Sequence, residues 1–210
     1  MENRIADSSM SQILSGIIER SKEIQTELFR KSIHLLVGAV PLLAAMNLGF
    51  TRIALVLGIA VFLYAEKVRL SGGTIPLITN ITNQASRQRD TNKMVLGPLT
   101  LAFGALFTLI FFKEPTASVG IFALAFGDGL SSVVGKIFGR VKLPFTGGKT
   151  LEGTLTVFLV VLPVALAAGG TWNTALIVAG AAAFLEALPL EDLDNLILPL
   201  GTAFLFNLLR

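Results

Sequence analysis

Long apolar runs, almost free of charge inside, constrain this chain more than any other feature. A helix needs about 20 mostly apolar residues to cross about 30 Å of hydrocarbon. Runs of that kind, some shorter, recur at Ile33–Phe50, Ile53–Ala65, Met94–Phe112, Thr116–Val134, Thr154–Gly169, Asn173–Leu185 and Leu196–Leu209. Charged residues make up only 15% of the 210 positions and hydrophobic ones 53%, with a mean hydropathy of +0.73. Soluble chains carry roughly 25% charged residues, so this one has too few to coat a water-facing surface. A disordered chain, which needs low hydropathy and high net charge, is excluded on the same ground. The expected fold is all-α: a polytopic integral membrane protein with about seven transmembrane helices. The first two runs could instead form a re-entrant pair turning at Asn47-Leu48-Gly49.

The first 32 residues read as a separate N-terminal unit, ahead of a transmembrane catalytic domain over residues 33–210. Met10, Ile13, Leu14, Ile17 and Ile18 recur at helical spacing with Gln12, Glu19, Arg20 and Lys22 among them. That pattern predicts an amphipathic helix lying on the membrane surface. It lacks the continuous apolar stretch of a secretory signal.

Basic residues orient the spans. If the N-terminus is cytoplasmic and the chain crosses seven times, 14 of the 17 Lys and Arg residues fall on the cytoplasmic side, leaving Arg52, Lys113 and Arg210 beyond. This is the positive-inside bias. It accounts for the net charge of +3 by topology and removes the case for a nucleic-acid partner. Three loops, 66–93, 136–150 and 186–195, then share the cytoplasmic face with Glu27–His34. Polar groups distant in sequence would meet there between helices.

Asp128, in Phe126-Gly127-Asp128-Gly129, is the sharpest anomaly. It lies about seven residues, or roughly 10 Å, from the end of the fourth span. A carboxylate at such depth marks an ion path, a metal or a substrate more often than a structural hydrogen bond. Gly127 and Gly129 beside it would let a backbone or ligand approach closely. Downstream, Lys136, Arg140, Lys142 and Lys149 are interleaved with glycines, ending in Gly148-Lys149-Thr150-Leu151-Glu152-Gly153. Cations neutralise phosphate oxygens, glycine amides approach them, and a carboxylate can hold Mg²⁺. An ordinary positive-inside loop would show the same charges. The segment is no Walker A loop, because Leu143 stands where that motif needs glycine.

Glu186-Ala-Leu-Pro-Leu-Glu-Asp-Leu-Asp194-Asn195 places four acids beside two spans, either a second metal-binding corner or a polar turn capping the next helix. Glu27, Lys31 and His34, spaced i, i+4, i+7, share one helix face with Arg30 nearby. His34 is the only histidine, and there is no cysteine. Sites that need two imidazoles or a thiolate are therefore excluded.

Taken together, these segments resemble the CTP-dependent lipid-alcohol kinases, the group of dolichol, phytol and CTP-dependent diacylglycerol kinases. The run from Gly127-Asp128-Gly129 through Lys136, Arg140, Lys142 and Lys149-Thr150-Leu151-Glu152-Gly153 is similar to that family's nucleotide segment. Glu27-x-x-Arg30-Lys31-x-x-His34 and Glu186…Asp194-Asn195…Pro199 resemble its entrance and C-terminal motifs. The nucleotide segment is also similar to phosphatidate cytidylyltransferase, whose C-terminal signature is missing here. The resemblance implies Mg²⁺-dependent transfer of the γ-phosphoryl of CTP to the hydroxyl of a membrane lipid alcohol (a prenol, polyprenol or diacylglycerol) at the cytoplasmic face of the cell membrane. Asp128 is then expected on Mg²⁺, with Asp194 and Glu186 completing its coordination or orienting the alcohol. Lys136, Arg140, Lys142 and Lys149 would hold phosphates, Arg30 and Lys31 would lie near them, Thr150 belongs to the same segment, and Glu152 would position Lys149 or a metal-bound water. Glu27 or Asp128 would accept the hydroxyl proton, and His34 and Asn195 complete the expected site.

Two other readings stand beside it. One is a cytidylyltransferase making a CDP-lipid, and the other is a small transporter, against which the chain shows no internal repeat of two halves. Gly135/Gly139 and Ala179/Gly180/Ala183 could pack helices within one chain or between two copies in a homodimer.

Overall fold

In a computed structural model of the chain, the apolar runs are helices, joined by short turns whose residues set where each helix starts and stops. Residues 2–86, 90 and 93–210 are described, with side chains from Leu14 onward except at positions 20 and 23. Met10, Ile13 and Arg20 of the expected amphipathic face, and Arg87 and Arg89 of the loop 66–93, therefore lie outside the described side chains.

The order is α1 (Glu2–Val37), α2 (Val40–Met46), α3 (Leu48–Leu70), α4 (Pro76–Ala85), α5 (Gly97–Phe111), α6 (Thr116–Phe122), a π-helical turn (Ala123–Asp128), α7 (Gly129–Phe138), α8 (Leu151–Ala167), α9 (Trp172–Ala187), a 3₁₀ turn (Glu191–Leu193) and α10 (Asp194–Leu209). Among the described residues the only β-type pairing is one bridge between Lys142 and Thr150. The all-α expectation holds. Among the described residues, four helical stretches are long and apolar enough to cross a membrane: Leu14–Met46, Leu48–Leu70, Thr116–Phe138 and Glu191–Leu209. Gly97–Phe111, Leu151–Ala167 and Trp172–Ala187 are shorter and also apolar.

Several boundaries differ from the sequence expectation. α1 runs unbroken through residue 32 to Val37, so the division at 32/33 falls inside one helix. It stops at Gly38, where an added Cβ would sit 2.6 Å from the Phe126 ring, and Pro41 restarts the helix as α2. The chain turns at Asn47, whose Oδ1 accepts the Phe50 N–H at 2.9 Å and caps α3. The second apolar segment thus starts at Leu48 rather than Ile53 and extends past Ala65 to Leu70. Glu66, expected to open a solvated loop, is 1% exposed. Arg69 donates to both its oxygens at 2.8 and 2.6 Å, and the Val95 N–H donates at 2.7 Å. A buried carboxylate with three donors is satisfied, and it ties the end of α3 to the start of α5.

Small residues let the helices approach one another. One core cluster joins Val157, Val161 and Ala165 of α8 with Ala175, Val178, Ala179 and Ala182 of α9 and Leu198 and Phe206 of α10. A second joins Val40 and Ala44 of α2 with Leu109, Ala117 and Ile121. In lipid such interfaces are held by close packing rather than by water exclusion. Pro199 deprives the Asn195 carbonyl of its helical donor, and Gly104 of α5 packs against that carbonyl, where a Cβ would collide with it. Gly120 meets the Pro199 carbonyl in the same way. Gly135 and Gly139, read as packing helices within one chain or between two copies, face Thr150 within the chain.

Candidate active site

The widened backbone of the π-helical turn ends at Asp128, and wide turns of this kind concentrate at functional sites. Asp128 is 2% exposed. One turn of α1 supplies its partners: Lys31 Nζ donates to Oδ2 at 2.6 Å, and His34 Nδ1 lies 2.9 Å from the same oxygen. Glu27 and Arg30 occupy the same buried face of α1, with Arg30 Nη1 3.3 Å from Glu27 Oε2 and Nη2 3.3 Å from Asp192 Oδ1. Arg30 therefore links α1 to the 3₁₀ turn 162 residues away.

α9 contributes Glu186, also buried. Ser131 Oγ donates to its Oε1 at 3.2 Å, Thr154 Oγ1 to its Oε2 at 3.3 Å, and Lys149 Nζ stands 3.2 Å from Oε1 while donating to the Glu186 backbone carbonyl. Lys136 is the most exposed of these cations and lies 3.7 Å from Glu27 Oε2. Asn195, 1% exposed, donates through Nδ2 to the Gly97 carbonyl at 3.3 Å and to Thr100 Oγ1 at 3.0 Å, fastening α10 to α5.

These groups surround one cavity of about 510 Å³, lined also by Asp194, Thr150 and the loop Thr146-Gly147-Gly148. Of the residues singled out in the sequence, Glu27, Arg30, Lys31, His34, Asp128, Lys136, Lys149, Thr150, Glu186, Asp194 and Asn195 meet there. Four α1 side chains, the start of α7, the loop into α8 and the segment joining α9 to α10 converge there from four stretches of chain. The described residues of the loop 66–93 do not line the cavity.

Other expected site residues lie elsewhere. Gly127 and Gly129 serve helix packing: a Cβ on Gly127 would meet Val157 at 3.3 Å, and one on Gly129 would meet Leu35 at 3.3 Å. Arg140 and Glu152 line a separate shallow cleft with Ile137, Phe138 and Gly139, and Lys142 is exposed beside it. Glu152 accepts the Arg140 N–H at 2.9 Å and the Val141 N–H at 3.3 Å, bracing the start of the loop that returns to α8. The Arg140 amide first, then Glu152's own backbone amide and that of Val141, hold the Glu152 carboxyl below its ordinary range. Ser131 and Thr154 were not singled out in the sequence, and Asp192 entered only as one of the four acids of the 186–195 turn. The one available signal was the position of Ser131 three residues beyond Asp128, on the same helix face.

Among the described residues no three acidic or histidine side chains are close enough together to enclose a cation by themselves. The donor set still suits Mg²⁺, which takes one or two protein carboxylates and fills its remaining positions with phosphate oxygens and water.

Comparison with known proteins places this architecture. The chain is 30% identical over 191 residues to the uncharacterized protein MJ1137 of Methanocaldococcus jannaschii, covering 86% of this chain and 93% of that one. It is 29% identical over 205 residues to the phytol kinase of Synechocystis sp., covering 92% and 84%. It is 36% identical over 125 residues to the dolichol kinase of Saccharomyces cerevisiae, covering 56% of this chain and 23% of that enzyme. No family model and no solved structure matches the chain. The chain belongs to the lipid-alcohol kinase family.

Proposed function

We propose that the protein transfers the γ-phosphoryl group of a nucleoside triphosphate, CTP, to the hydroxyl of a membrane prenol or polyprenol at the cytoplasmic face of the cell membrane. The observation that carries this reading is the cavity itself, a cluster of buried carboxylates and cations inside a bundle of apolar helices. Phosphoryl transfer asks for alignment and charge neutralisation more than for covalent chemistry, and such a cluster supplies both. A lipid alcohol reaches it from the bilayer and a nucleotide from water. CTP rests on the resemblance of the Asp128–Gly153 segment.

The charge balance of the cavity bears on the metal. Lys31 is matched by Asp128, Arg30 by Glu27 and Asp192, and Lys149 by Glu186. An incoming triphosphate therefore adds negative charge that the cations only partly meet. Asp128 and Asp194 would hold Mg²⁺ brought in with the nucleotide, and the ion would neutralise charge on the phosphates, while Glu186 holds Lys149, Ser131 and Thr154 in place. Lys149, Lys136, Arg30 and Lys31 would bind phosphate oxygens by exchanging part of their pairing with these carboxylates. The acceptor oxygen bonds to the γ-phosphorus as the bridge to the nucleoside diphosphate breaks. Its proton passes to a carboxylate facing the cavity, Asp128 or Glu27.

The test is transfer of label from γ-³²P-CTP, with ATP in parallel, to phytol, geranylgeraniol, polyprenol and diacylglycerol in mixed micelles containing Mg²⁺. A labelled prenyl monophosphate formed from CTP is the expected product. Labelled phosphatidic acid alone would move the substrate to diacylglycerol. Pyrophosphate release with phosphatidic acid and no lipid phosphorylation would overturn the kinase reading in favour of a cytidylyltransferase.

A further inference from the structure

The loop between α7 and α8 is built as a tight antiparallel pair. The Leu143 N–H donates to the Lys149 carbonyl at 2.9 Å, the Leu151 N–H donates to the Val141 carbonyl at 2.9 Å, and Lys142 bridges to Thr150. Glu152 braces its first strand from outside the pairing. At its tip Phe145 takes φ 62°, which non-glycine residues seldom adopt, followed by Gly147 and Gly148 at 72° and 98°. The geometry turns the two edges in different directions. Thr146, Gly147, Gly148 and Lys149 line the cavity, whereas Phe145 is 97% exposed.

An aromatic side chain left this open, on a loop held this firmly, calls for an apolar partner. The surroundings identify it. Phe138 at the end of α7 and Leu155 at the start of α8 are exposed on neighbouring helices of a membrane protein, and Val141 and Phe145 continue that apolar surface beyond the helix ends. Arg140 and Lys142, both exposed, alternate with them. Apolar side chains mixed with cations at the end of a membrane helix suit the boundary between acyl chains and phosphate headgroups.

We propose that this hairpin is an interfacial anchor. Val141 and Phe145 enter the acyl boundary, Arg140 and Lys142 engage lipid headgroup phosphates, and the opposite edge thereby holds the cavity mouth at the membrane surface. The inference rests on the chain's being a membrane protein and not on the reaction, so it stands or fails separately from the kinase reading. It also accounts for Arg140 and Lys142 lying outside the cavity.

The 210-residue chain contains one tryptophan, Trp172, and no cysteine, so clean probes are available. Phe145→Trp in a Trp172→Phe background is reconstituted in phosphatidylcholine–phosphatidylglycerol vesicles. The expected emission is blue-shifted, loses most of its intensity to lipids brominated near the headgroup end of the acyl chain, and is little affected by acrylamide. Because tryptophan itself favours interfaces, a nitroxide on Pro144→Cys in the otherwise natural chain gives an independent reading. Its relaxation should be enhanced by oxygen more than by a polar nickel chelate, and adding Phe145→Ser should reverse that preference. A water-exposed emission with strong acrylamide quenching, or a nitroxide governed by the nickel chelate while Phe145 is present, overturns the proposal. A probe shielded only when CTP is added would assign Phe145 to the nucleotide and overturn it equally.

Discussion

Lys31 and Asp128 form a buried pair at 2.6 Å, and removing one member leaves the other charge without a partner. Lys31→Met should lower stability by about 3–5 kcal/mol, read as a fall in the thermal midpoint of the detergent-solubilised protein. Removing both charges in Lys31→Met/Asp128→Asn should restore much of that loss; a double variant as unstable as the sum of the singles would contradict the pairing. Glu152 gives a pH-dependent expectation. Its carboxyl is held below its ordinary value by the Arg140 and Val141 amides, so its bracing is present at and above the ordinary carboxylate range and lost as pH falls through the depressed value. Backbone hydrogen exchange over residues 139–143, corrected for intrinsic rates, should rise on that acidification in the parent and show no such step in Glu152→Gln. Much of the site is legible at this scale, because a carboxylate inside an apolar run and charges at i, i+3, i+4 and i+7 stand out against a chain with so few of them. Ser131 and Thr154 are not, since hydroxyls are common and their role depends on which chain segment lies opposite, and the same holds for the pairing of Asp192 with Arg30. Arg140, Lys142 and Glu152 carry the same charge pattern as Lys136 and Lys149, and only the pairing of the hairpin edges separates them.

Helix interfaces in this molecule depend on particular glycines. Gly120→Ala would drive a Cβ into the Pro199 carbonyl of α10, which should destabilise the protein by about 1–3 kcal/mol as an overpacked contact. Gly180, on α9, has nothing within 4 Å of where a Cβ would stand. Gly180→Ala should leave stability unchanged or raise it by up to about 1 kcal/mol through helix propensity. Thermal midpoints of the two variants measured side by side check the contrast, and equal losses would contradict the packing. Apolar runs located these elements in the sequence but not their ends. Glu66 looked like a loop residue because its charge is neutralised by Arg69 one turn on and by an amide 29 positions away. The first segment was read through to Phe50, with a turn at Asn47-Leu48-Gly49 as the alternative, and the break between α2 and α3 falls at Asn47.

Across the whole molecule, apolar helices surround one charged cavity assembled from α1, α7, the loop before α8, the end of α9 and the start of α10. Its members span positions 27 to 195, so the site exists only when the bundle is assembled. The similarity to phytol and dolichol kinases fits a shared core of this kind. The measurement that tests the account most directly compares the parent with Asp128→Asn in the labelled-phosphate transfer assay, alongside circular dichroism and gel filtration in detergent. The account predicts a labelled prenyl monophosphate from the parent and none from Asp128→Asn, with the variant still helical and monodisperse. Undiminished transfer by a folded Asp128→Asn would contradict the placement of the chemistry at this cavity.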